Sequence, residues 1–166
     1  MSQTGGIAQF VRQPSDLAEC RAGVAMFDRD ELQAFLASVT DLDAAMAELT
    51  ASFEEGDVYR AGMMAFVCGM LVGRSGSVTV PVDAVLRLME RHLHLAKDFA
   101  GKGGVDAEDD LFRVSPDLVR AHYALPFVLL ATMRSRRSRT RRGTARLRRG
   151  TGCARRAGCR CTPALT

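Results

Sequence analysis

All nineteen acidic residues of this 166-residue chain lie before residue 134, and the stretch after Met133 holds twelve arginines, no acid and no aromatic ring. The first 133 residues carry nine Arg and two Lys against those acids, a balance of −8, while residues 134–166 carry +12. The formal +4 of the whole is the difference between two unlike polymers. At 47% hydrophobic the chain has ordinary core-forming content for one domain, and that content belongs to the first part. The last part, mostly Arg, Thr, Gly, Ala and Cys, has nothing from which to build an interior. The expected organisation is therefore a domain over 1–133 and a disordered Arg-rich tail over 134–166.

Spacing within the first part predicts helices. Leu17, Cys20, Val24 and Phe27 recur at the period of one helical face, after an apolar cluster from Ile7 to Val11 and Pro14. Asp28 and Glu31 have the form of an acidic capping box for a second helix carrying Leu32, Phe35, Leu36 and Val39. Thr40 or Asp41 can cap a third, with Leu42, Ala45, Met46, Leu49 and Phe53 on its apolar face and a left-handed Gly56 as its stop. Asp57 can cap a fourth that is apolar nearly all round to Gly73, as an interior helix must be. Its stripe of Ala61, Ala65, Gly69 and Gly73 invites close approach by a neighbour.

Pro81 suits the first turn of a fifth helix, whose seam is Val82, Leu86, Met89, Leu93, Ala96 and Ala100 with Val85, Leu88, Leu95 and Phe99 beside it. Ser115, Pro116 and Asp117 supply cap, first-turn proline and acid for a sixth, in which Pro126 is expected to cause a kink or a division into two pieces. Only Val78–Val80 suggests a strand. The fold class is all-α: a bundle or short repeat-like stack of about six helices.

Leu49 to Phe53, Gly56–Asp57, Arg60–Ala61, Ala65, Gly69 and Leu71 together resemble one unit of a HEAT-type helical repeat, covering roughly residues 42–73. There two antiparallel helices meet at an Asp-containing turn and an Arg opens the second. No second copy follows at a fixed period. The resemblance implies a scaffold that binds other macromolecules, not a catalyst.

The tail has two readings. As a selected arm it would bind nucleic acid without sequence preference, through Arg134, Arg136, Arg137, Arg139, Arg141, Arg142, Arg146, Arg148 and Arg149 pairing with phosphates, since no aromatic is interleaved to stack on bases. As an out-of-frame translation of a G+C-rich gene it would show this same enrichment in Arg, Ala, Gly, Thr and Cys. The composition favours the second, which implies further helices beyond Met133 in the in-frame protein.

Motifs for chemistry are weak. His92 and His94, two apart, point in different directions on a helix and cannot share a metal, and His92 fits a core edge beside Leu88 and Phe99. Asp106–Asp110 fails as a calcium loop because Leu111 stands where the turn needs Gly, and a solvated acidic loop is expected instead. Gly101–Lys102–Gly103–Gly104 lacks phosphate-loop spacing. Cys153, Cys159 and Cys161 lack the second pair of ligands a structural zinc needs, and five cysteines make no even disulfide framework. A pocket joining His92 or His122 to Glu90 or Asp98 would be the sign of a site assembled only by folding.

No catalytic residue, cofactor or metal is expected. Nor is a membrane span, since the longest uncharged run of the body, Ala61–Gly73, is too short. Without a leader of signal-peptide form the expected address is cytoplasmic. The expected function is protein–protein contact, with nucleic-acid binding through the tail as the alternative.

Overall fold

The computed structural model describes the backbone of residues 4–75 and 81–150 and the side chains of residues 7–72 and 81–134. The chain there is all-α. The helices are α1 (Thr4–Arg12), α2 (Leu17–Ala22), α3 (Asp30–Ser38), α4 (Leu42–Glu55), α5 (Val58–Ser75), α6 (Val82–Gly101), α7 (Glu108–Val114) and α8 (Pro116–Gly150), with 3₁₀ segments at Gly23–Asp28 and Gly104–Ala107. Among the described residues there is no strand, and Val78–Val80 lies outside them. Two of these helices exceed the expected six. The Ile7–Val11 cluster coils as α1, and the acidic stretch, expected to be a solvated loop, coils as α7.

Side-chain chemistry sets the helix starts. Asp41 accepts a hydrogen bond from the Ala44 N–H at 3.0 Å, and Asp57 Oδ1 accepts from the Arg60 N–H at 2.9 Å, so both aspartates satisfy donors that the first turn leaves orphaned. The capping box is not at Asp28 and Glu31. It forms at Asp16 and Glu19 on α2, while α3 begins after Arg29 with no side-chain cap. Gly56 closes α4 with an extended φ of −90°, not a left-handed one. Its value is space, because a Cβ there would stand 3.0 Å from Val11 Cγ1 and 3.1 Å from Arg60 Cβ.

Helix α5 runs through the centre, with Val58, Tyr59, Met63, Met64, Val67, Cys68 and Leu71 all buried, as its unbroken apolarity demands. Helix α8 packs along both α5 and α6. Small residues make the α5 contact intimate: a Cβ on Gly62 would come 2.7 Å from Ala124 Cβ, and one on Gly69 would come 3.3 Å from Ala131 Cα. The close stripe thus runs through Gly62 and Gly69, seven apart, and meets Ala124 and Ala131, seven apart on α8. Of the stripe expected from sequence, Gly69 belongs to it and Gly62 was not included. Phe27, Phe66 and Phe127 form an aromatic knot, with centroids 5.0 to 5.8 Å apart.

On α6 the buried face is Val85, Leu88, His92 and Phe99, so the expected seam is turned by roughly one residue step, about 100°. Pro126 sits inside α8 without dividing it. Packing against two helices outweighs the one lost backbone bond, and the ring faces outward at an exposed position. The backbone of α8 also stays helical past Met133 to Gly150, so disorder from residue 134 is not supported over that stretch. Arg, Ala and Leu are strong helix formers, and extending a helix already anchored by packing needs no new nucleus. Residues 151–166 lie outside the described residues.

Candidate functional site

The largest polar constellation of the interior joins the segment before α2 to the first turns of α5 and α8. Arg60 is only 1% exposed, and its Nη2 donates to Glu19 Oε2 at 2.7 Å while Nε donates to the Gln13 carbonyl at 3.3 Å. Asp57 Oδ2 accepts from both the backbone N–H and the hydroxyl of Ser15, at 2.6 and 2.8 Å, and lies 3.5 Å from Arg120 Nε. Arg120 in turn donates to the Ser15 carbonyl at 2.6 Å. Tyr59 donates its hydroxyl to the Glu19 carbonyl at 3.1 Å. Two acids meet three guanidiniums, since Arg29 Nη1 also reaches Glu19 Oε1 at 3.2 Å, and the cluster ties chain segments together through these pairs. Ser15, itself buried, is bound into that tie and is not presented as a nucleophile.

A second constellation joins α2, α7 and α8. Arg21 reaches Glu108 at 3.0 Å and Asp109 at 3.2 Å. Burial raises the Glu108 carboxyl, but hydrogen bonding from Arg21 and Tyr123 and the Arg21 charge overcome this and hold it below the usual range. His122 stacks on Phe99 with centroids 4.6 Å apart. Sequence alone gave no sign of the Arg21–Glu108 pair, because its members lie 87 residues apart.

His92 is fully buried, with Nδ1 2.7 Å from the Leu88 carbonyl oxygen and Nε2 2.8 Å from that of Val58. It therefore joins α6 to the start of α5, deeper than the core edge expected of it. Burial lowers its pKa, the two carbonyls oppose this, and burial prevails. His94 is exposed. The rings of His92 and His122 are occupied by carbonyls and by Phe99, and no grouping of His, Cys, Asp or Glu able to hold a metal occurs among the described residues. Burial pushes the Cys20 thiol up to about 11 and the Cys68 thiol up to about 12, and both are free. Cys153, Cys159 and Cys161 lie outside the described residues.

Of the nine arginines expected to bind nucleic acid, Arg134 is described, and its guanidinium lies over the Phe66 ring at 5.3 Å. The other eight ride on the helical backbone of α8, with side chains outside the description. A groove of about 90 Å³ between α1 and α4 is lined by Ile7, Val11, Leu49 and Ser52, with Glu48 and Glu55 also in its wall. That is too small for a metabolite, whose sites run to roughly 300 Å³ or more. Among the described residues no helix is long and apolar enough to cross a membrane. No protein-family model, curated protein or solved structure matches this chain.

Proposed function

We propose that this chain is a non-catalytic helical module of the cytoplasm that works through protein–protein contact. The supporting observation is the distribution of its apolar surface: Leu93 on α6 is 44% exposed, and Leu129, Leu130 and Met133 on α8 are 41%, 44% and 63% exposed. Large apolar side chains gathered on neighbouring helices mark contact surfaces more than they mark solvent faces. The interior ion pairs, by contrast, hold the fold together. Photo-crosslinking residues placed at Leu130 and Met133 should give protein adducts in cells that the same residue at exposed Lys102 does not. Equal labelling at all three positions overturns the reading.

A second reading, nucleic-acid binding without sequence preference, draws support from the continuation of α8 to Gly150, which sets the arginines from Arg134 to Arg149 along one helical rod. Binding to duplex DNA would weaken steeply with salt and disappear on removal of residues 134–166. Binding that survives the removal excludes the arm.

A further inference from the structure

Helices α6 and α8 run alongside each other in opposite directions, because Met89 Sδ meets Thr132 Oγ1 at 3.5 Å while Phe99 stacks on His122. These two anchors set Leu93 level with Leu129. The part-exposed row Val82, Leu86, Met89, Leu93, Ala96 and Ala100 recurs at spacings of four and three, the repeat that a pair of coiled helices buries. One flank of this row is the buried face of Val85, His92 and Phe99. The other flank is the exposed row Asp83, Glu90 and Lys97, which changes from acidic to basic along the helix.

Such a row is complementary to itself when reversed. With Leu93 of one copy against Ala96 of another, running antiparallel about a two-fold axis, Glu90 of each copy stands beside Lys97 of the other. A parallel copy would instead set the Glu90 and Lys97 flank of each against the Val85 and His92 flank of the other, which carries no answering charge. Resting on the protein-contact reading above, we infer that the α6 face pairs with a second copy of this chain, antiparallel, with Leu93 at its centre and Leu129 and Met133 at its margin.

Sedimentation of the full chain at near-physiological salt tests this. The expected result is twice the chain mass, falling to the single-chain mass for Leu93→Glu and for Lys97→Glu. The double variant Glu90→Lys with Lys97→Glu should restore the dimer, because exchanging both charges rebuilds both pairs, and circular dichroism should show native helix in all three variants. A wild-type monomer overturns the proposal, as does a dimer that ignores Leu93→Glu or a charge exchange that fails to restore association. A monomer that still crosslinks to a different protein in cells overturns self-pairing alone. Absence of both dimer and adducts overturns the contact reading too.

Discussion

The guanidinium carbon of Arg60 lies 4.1 Å from the centroid of the Phe10 ring. That stacking offsets an otherwise odd feature of a buried arginine: Nη1 has no hydrogen-bond acceptor, and the attraction of the ring face for the guanidinium charge compensates in part. Arg60 is thus sandwiched between α1 and Glu19. Arg60→Ala should destabilise the fold by about 3 kcal/mol in urea titration, since it takes from Glu19 its buried partner, leaving Arg29 at 3.2 Å, and opens a cavity. The double variant Arg60→Met with Glu19→Leu should recover most of that loss. A double variant no better than Arg60→Ala would refute this account of the pair.

Gly62 faces Ala124 with no room for a methyl group. Gly62→Ala should destabilise by up to about 2 kcal/mol despite its better helix propensity, because overpacking costs about 1–3 kcal/mol and the propensity gain is near 1. A melting temperature that rises would show that α5 and α8 can separate freely.

Pro126 is exposed inside α8 and leaves the His122 carbonyl without its helical partner. Pro126→Ala should stabilise the protein by about 1–3 kcal/mol, read as a later denaturant midpoint. No gain would mean that the helix has already relieved the cost by bending.

The sign for His92 follows from its lowered pKa. An unfolded histidine titrates near 6.5, so below that pH the unfolded chain takes up a proton that the folded chain resists, and stability falls with pH. Above that value the contribution of the neutral ring is complete. The melting temperature should decline from neutral pH toward acid, and His92→Leu should flatten that part of the profile. An unchanged slope would remove His92 from the account.

Cys20 and Cys68, held protonated by burial, should resist alkylation at mildly alkaline pH until the fold is opened by denaturant, as mapped by peptide mass spectrometry. Labelling of Cys68 in the native protein would contradict its place inside α5.

What sequence made legible was local. Asp41, Asp57 and the Ser115–Pro116–Asp117 start all mark helix beginnings where expected, because capping needs only residues a turn apart. The all-round apolarity of α5 was equally plain. Features that depend on distant partners were not. Both Asp16–Glu19 and Asp28–Glu31 fit the capping pattern, and the choice between them rests on Arg60, which holds Glu19 from 41 residues away. The α6 seam was misplaced because His92 counts as polar until the Val58 carbonyl receives it. The short helix α7 resembles a loop in sequence because its acids have the pattern of solvent residues, yet Glu108 turns inward to Arg21. The surface row on α6 was visible from the first, but as interior.

Helix α8 packs on α2, α5, α6 and α7, whereas α5 and α6 touch each other little. During synthesis the ribosome releases the central helix long before the element that shields it. A nascent chain ending near residue 115 holds a greasy rod that α4 covers on one side while the side meant for α8 stays bare. Assembly must wait for α8 to emerge, so the interior closes only after the residues around Ala131, which meet Gly69, have left the ribosome.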